Sequence, residues 1–242
     1  MHVVVSGGGT GVGAEIAQTL ARDGHAVTIL GRTEASLAAQ NLPYQICDVT
    51  DEEAVAAACM AARNDQGPIG AAIANAGAAT SLPFHKMTGS DLRAMTDVNL
   101  AGVFHLWKAA LPDMMEAGTG RLVAVASTAG LKGYPYVSGY CAAKHGVVGM
   151  TRALALELAR TGITVNAVCP GFVETPMLDR SIANIVDKTG MAREEAAKSL
   201  AANNPQKRFV QTEEVASAVM WLLSEAAQAV NGHALSLSGG EI

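Results

Sequence analysis

The chain has 242 residues, half of them hydrophobic and only 4% aromatic, with a formal net charge of −5. That length suits one large domain with a full core, and an acidic balance without a basic cluster argues against a dedicated nucleic-acid binder. No apolar run reaches the roughly 18 residues of a membrane span and no charged leader precedes the first apolar run, so a soluble, cytoplasmic protein is expected.

Short apolar runs alternate with helical stretches, the pattern of βα units on a parallel sheet. Residues 2–5 read as a first strand, and 12–23 as a helix with Ile16, Ala17 and Leu20 inward. A second strand follows at 25–30, then a short helix capped by Thr33 and carrying Ser36 and Leu37. The third strand is 44–46, closed by Asp48; 51–63 is an Ala-rich helix and 69–74 the fourth strand. Residues 90–117 read as one long helix in which Pro112 marks a break or restart. The fifth strand is 122–126, and another long helix covers 138–160. The sixth strand is 163–168. Residues 212–224 form a helix capped by Thr212 with Val215, Val219 and Leu222 inward, and 234–237 is the seventh strand. These elements predict a single doubly wound α/β domain over 1–242, with a seven-stranded parallel sheet and helices on both faces. Residues 176–208 break the alternation: they are polar, charged and helical near 192–201. An insertion of that length after a strand reads as a substrate lid, the alternative being a solvated helical excursion.

Two clusters carry chemistry. Ser6-Gly7-Gly8-Gly9-Thr10-Gly11-Val12-Gly13 follows the first strand and opens the first helix. Glycines there permit positive φ and close backbone approach, and a helix N-terminus offers free N–H groups to a pyrophosphate. Tyr140 and Lys144 lie four residues apart, which on a helix stacks them on one face. An ammonium beside a phenol favours the phenolate, so Tyr140 is expected to have a lowered pKa and to act as an acid or base at an alcohol or carbonyl oxygen. The four cysteines, Cys47, Cys59, Cys141 and Cys169, have neither C-x-x-C nor zinc spacing and read as buried free thiols.

The spacing Gly7-x3-Gly11-x-Gly13 together with Tyr140-x3-Lys144 resembles the short-chain dehydrogenase/reductase family. Further marks come in order along the whole chain: Asp48-Val49, Asn75-Ala76-Gly77, Asn99, Ser127 thirteen positions before Tyr140, and Pro170-Gly171-Phe172-Val173-Glu174-Thr175. The resemblance implies a Rossmann-type fold and hydride transfer between a nicotinamide cofactor and a carbonyl or secondary alcohol. It assigns Tyr140 as general acid/base and Lys144 as its partner and a ribose ligand. Ser127 is implied to hold the substrate oxygen and Asn99 to support a water relay from Lys144. Cofactor contacts are implied for Ser6, Gly7, Gly9, Thr10, Gly11, Val12, Gly13, Arg32, Thr33, Asp48, Val49, Asn75, Ala76, Gly77, Tyr140, Lys144, Pro170, Gly171, Val173 and Thr175.

After the second strand comes Gly31-Arg32-Thr33, where NAD enzymes usually place a carboxylate for the ribose 2′-hydroxyl. Arg32 can instead pair with a 2′-phosphate, which favours NADP(H) over NAD(H). Two features stand against that: Thr10 supplies no second positive charge, and Arg32 can equally stack on the adenine of NAD. The stretch from Tyr140 to Met177 resembles bacterial 3-oxoacyl thioester reductases and aromatic-polyketide ketoreductases. The segment from Asn75 to Thr80 lacks the Pro-Gly-Gly extension of the polyketide group, which points toward a 3-oxoacyl-CoA or acyl-carrier substrate. A dehydrogenase of a cyclic or small secondary alcohol, and an NAD-dependent 3-hydroxyacyl-CoA dehydrogenase, are the alternatives. Arg180, Lys188, Arg193 and Lys198, with Lys207 and Arg208 at the end of the lid, could meet CoA phosphates, but the interleaved Asp179, Asp187, Glu194 and Glu195 make a mixed solvated face an equal reading. The scattered histidines form no ligand set, so no metal is expected. By the same resemblance, the long helices over 90–117 and 138–160, with small outer positions such as Ala153 and Ala155, form dimers and the C-terminal segment tetramers, which implies a homotetramer.

Overall fold

A computed structural model describes residues 1–242. Its seven strands are β1 (His2–Ser6), β2 (Ala26–Gly31), β3 (Tyr44–Ile46), β4 (Ile69–Ala74), β5 (Gly120–Val125), β6 (Ile163–Pro170) and β7 (Ala234–Leu237). All pair in parallel in the order β3-β2-β1-β4-β5-β6-β7. The chain winds outward from β1 to β3, then crosses back to β4. The order therefore reverses between β1 and β4, and the carboxyl ends of those strands frame a crevice.

Strand periodicity divides the core in two. On β1 Val4 faces one way and Val3 and Val5 the other; on β5 Leu122 and Ala124 oppose Val123 and Val125. One face is covered by α3 (Glu52–Gln66), α5 (Gly102–Ala117) and α6 (Ser138–Glu157), the other by α1 (Gly11–Arg22) and α9 (Thr212–Leu223). Because both faces are buried, the strands read as continuous apolar runs instead of alternating ones.

Several boundaries differ from the expectation. The helix expected over 90–117 is three pieces: α4 (Gly89–Thr96), a wide π turn at Asp97–Ala101, and α5. Thr88 starts it with a capping box, exchanging hydrogen bonds with Asp91. The irregularity falls at Asn99, whose side-chain amide donates to Met95 O, the carbonyl that a regular helix ties to a backbone N–H. Pro112 breaks nothing: α5 runs through it, giving up one backbone bond. Next to it, Asp113 accepts from Arg63 Nε and Ile69 N at 2.8 Å and ties the helix to α3 and β4.

Thr33 does precede α2 (Glu34–Ala38), yet its hydroxyl makes no capping bond. Thr212 is the first residue of α9 and not its cap; Gln211 holds that place, its N–H donating to the Glu214 carboxylate at 2.8 Å. Residues 176–208 hold two helices, α7 (Pro176–Thr189) and α8 (Arg193–Ala201), where one was expected. They pack Leu178, Ile182 and Ala196 into a small cluster of their own, apart from the two faces of the sheet. Ala153 is exposed as expected, whereas Ala155 turns inward to the core. All four cysteines are buried and free.

Candidate active site

The glycine loop is knitted to the end of β4. Ser6 Oγ accepts from both Asn75 N and Ala76 N at 3.1 Å. Asn75 Nδ2 donates back to Ser6 O at 3.0 Å and Gly7 O at 3.2 Å. This closeness explains two glycines. Gly7 sits at φ +66°, and a Cβ on Gly13 would lie 2.2 Å from Gly7 O and 2.3 Å from Asn75 Nδ2. Beyond them Thr10 precedes α1, exposed and making no side-chain capping bond, so the first N–H groups of the helix have no cap side chain as partner, the arrangement that suits an anion. Gly11, at φ +56°, brings the loop within 3.4 Å of Thr175 Cγ2, measured from where its Cβ would stand. Val12 packs on the α1 side of the core. Gly9 lies against Ser36 of α2, and its carbonyl accepts from Gln40 Nε2 at 3.0 Å.

At the ends of β2 and β3, Arg32 and Thr33 are exposed and Asp48 is half-buried. Arg32 Nη1 lies 3.7 Å from Asp48 Oδ2, a loose exposed ion pair. The Thr50 backbone N–H, the Thr50 hydroxyl and Arg32 hold the Asp48 carboxyl below its ordinary range, against some desolvation. Arg32 thus has a partner that the sequence did not reveal. Val49 is buried beneath Gly102, and its carbonyl bonds His105 Nδ1 at 2.8 Å.

The residues expected to be catalytic come from three elements. Ser127 ends β5, its Oγ accepting from Ala129 N at 3.1 Å. Tyr140 and Lys144 stand one turn apart on α6. Asn99 is fully buried in the π turn, its Nδ2 also donating to Ala78 O at 2.8 Å and its Oδ1 accepting from Ala78 N at 3.2 Å. Gly77 lies between Asn99 and Lys144: a Cβ there would be 2.8 Å from Asn99 Oδ1 and 3.7 Å from Lys144 Nζ. Pro170, Gly171, Val173 and Thr175 follow β6 on the same rim. Gly171 N donates to Leu237 O, Val173 bridges to Val210, and Thr175 caps α7.

The electrostatics differ from the expectation for Tyr140. Burial pushes its phenol up to about 12, and the neighbouring Ser127 hydroxyl pulls the other way. Part of the residue's surface stays open to solvent, which limits the push. Lys144 is not among the groups that shift it; its ammonium donates to Val125 O at 2.9 Å and lies over the Tyr140 ring, 5.6 Å from the centroid. Burial lowers Lys144 itself to about 8. Ser127, and not Lys144, is therefore the group that favours the phenolate in the free protein.

One group at the rim was not singled out in the sequence. Glu241 accepts at Oε1 from Lys132 Nζ and from the Tyr134 hydroxyl, both at 2.7 Å. No spacing relates these residues, which lie 107 positions apart in the case of Tyr134. No three His, Cys, Asp or Glu side chains come together as a metal site. A concavity of about 460 Å³ lies away from this rim, between Phe104 and Leu100 on one side and Gly146 and Met150 on the other.

The model of the short chain dehydrogenase family matches residues 1–185. A putative ketoacyl reductase of Streptomyces coelicolor is 39% identical over 98% of this chain and 95% of its own length. Among solved structures, a point variant of actinorhodin polyketide ketoreductase with NADPH superposes with TM-score 0.96 at 38% identity, covering 99% of this chain and 96% of that one. Levodione reductase superposes with TM-score 0.94 at 33% identity over the same shares. The missing Pro-Gly-Gly extension therefore does not set the chain apart from polyketide ketoreductases over its length.

Proposed function

The chain belongs to the short-chain dehydrogenase family and is an oxidoreductase acting on a keto or hydroxy group with a nicotinamide cofactor, and from that premise we propose that it reduces the ketone of a 3-oxoacyl thioester with NADPH. The observation that carries the reading is the placing of Ser127 just past β5 beside Tyr140, which shares a face of α6 with the buried Lys144.

The crevice fits the cofactor. The glycine loop with φ-positive Gly7 and Gly11 and the free start of α1 would hold the pyrophosphate. Arg32 and Thr33 would hold the adenine-side ribose and its 2′-phosphate. Asp48, Val49, Asn75, Ala76 and Gly77 would line the adenine and ribose path. Pro170, Gly171, Val173 and Thr175 would border the nicotinamide, and Tyr140 and Lys144 its ribose. When bound, the reduced nicotinamide supplies the hydride to the carbonyl carbon.

The chain's own residues manage the oxygen. Ser127 Oγ accepts from Ala129 N, which leaves its one proton to be donated, to Tyr140 in the free protein and to the substrate oxygen once substrate is bound. Tyr140, protonated at neutral pH as any phenol is and more firmly so through burial, gives its proton to that oxygen as charge develops there. In the free protein the Lys144 ammonium is turned to Val125 O, and Asn99 fixes the Gly77–Ala78 turn beside it. The helix pair over 176–208 covers the substrate as a lid, supported by Thr175 beside Gly11. The concavity beside Phe104 and Met150 supports pairing of copies through α5 and α6, toward a homotetramer.

A dehydrogenase of a cyclic ketone or alcohol is the second reading, favoured by the likeness to levodione reductase. Initial rates on acetoacetyl-CoA with NADPH and NADH, with Tyr140→Phe as blank, separate them. Tyr140-dependent turnover favouring NADPH is expected. Turnover only of cyclic ketones would overturn the thioester reading, and preference for NADH the Arg32 reading.

A further inference from the structure

Glu241 follows β7, and its side chain is only 4% exposed. A carboxylate so enclosed needs partners, because unpaired burial of a charge is costly. Lys132 and Tyr134 provide them at 2.7 Å each. The Tyr134 oxygen is also 2.7 Å from Thr128 Oγ1. A phenol has one proton and a carboxylate only accepts. Tyr134 therefore donates to Glu241, and Thr128 donates to Tyr134. The result is a directed chain from Thr128 through Tyr134 to Glu241, with Lys132 as counter-ion. Thr128 is the residue next to Ser127.

The remaining ties of this loop are mostly local: Gly130 N donates to Ser127 O, and Leu131 N and Lys132 N to Thr128 O. The carboxylate reaches the other side of the rim as well, its Oε2 lying 3.5 Å from where a Cβ on Gly171 would stand. Its own segment is anchored, with Ser238 buried and bonded to Ser236 at 2.8 Å. One side chain thus ties the loop after β5 to the segment after β7, beside Gly171.

We propose that Glu241 is a positioning residue: through Lys132 and Tyr134 it holds the Ser127 loop so that the Ser127 hydroxyl meets the substrate oxygen. This rests on the reductase reading for its catalytic half only. Glu241→Gln keeps the shape and removes the charge; Tyr134→Phe keeps the ion pair and removes the hydroxyl link.

The test joins amide hydrogen exchange on the ligand-free protein to steady-state kinetics on acetoacetyl-CoA. In both variants, exchange over 127–134 is expected to quicken about tenfold while β5 and β6 keep their protection. The kcat should fall about tenfold or more, with the KM for NADPH within about twofold of the parent. Unchanged exchange over 127–134 overturns the proposal whatever the activity. Quickened exchange with unchanged kcat overturns the positioning role. A parent enzyme that turns over no ketone sinks the reductase reading, and with it the catalytic half, while the exchange result still decides whether Glu241 holds the loop.

Discussion

Lys144 lies with its ammonium 5.6 Å from the centre of the Tyr140 ring and spends a hydrogen bond on Val125 O, 2.9 Å away. The two side chains share a helix face, as i, i+4 spacing requires, yet the charge reaches the ring and not the phenol oxygen. Both groups are shifted by burial, in the direction that disfavours their charged forms.

A pH dependence of stability follows. Lys144 falls from 10.5 to about 8 on folding, so between those values the unfolded chain holds a proton that the folded chain has released. Stability therefore rises with pH across that window, and below it the cost of the buried charge is fully present. Tyr140 acts oppositely: raised from 10.0 to about 12, it holds its proton in the folded chain only, and stability falls across that later window. The Tm difference between the parent and Lys144→Met should change from pH 8 to pH 10 in the parent's favour. A flat difference would show that the ammonium is not buried as described.

Tyr140→Phe keeps the ring and loses the proton. Turnover should drop about a thousandfold or more, with the Tm within a few degrees of the parent. Residual activity near the parent's would mean that another group protonates the substrate oxygen.

Arg32 stands at the exposed end of β2, with Asp48 3.7 Å away. Arg32→Ala removes a charge-assisted contact and should raise the KM for NADPH about 10- to 100-fold, leaving NADH nearly unaffected. Equal losses for both cofactors would place Arg32 against the adenine instead of a 2′-phosphate.

Gly13→Ala puts a methyl 2.2 Å from Gly7 O and 2.3 Å from Asn75 Nδ2. Gly7 O is backbone, and Asn75 Nδ2 is tied to Ser6 O and Gly7 O, so the loop and the end of β4 must separate. The substitution should cost about 3 kcal/mol and abolish cofactor binding in a fluorescence titration. Normal binding would mean that the loop gives way without harm.

Asn99→Ala strips partners from Ala78 N, Ala78 O and Met95 O together. Unpaired groups in a fully buried site should cost about 2–3 kcal/mol, read from urea unfolding. A cost under about half a kcal/mol would show that the π turn holds without its amide.

Local pattern determined a great deal of this protein. Alternating apolar runs and helical stretches specify seven strands and their helices, because each element must bury a face of its own period. The glycine loop and the pair Tyr140 and Lys144 were legible because their chemistry depends on short spacings along one chain segment. Tertiary structure alone decided the rest. It placed the irregularity of the long helix at Asn99 and not at Pro112, since the Asn99 amide finds partners in the loop after β4. It gave Arg32 a neighbour in Asp48 and turned the Lys144 ammonium toward Val125 O. It brought Glu241 to Tyr134 across 107 positions. Burial and long-range pairing set those outcomes, and neither has a period that can be read along the chain.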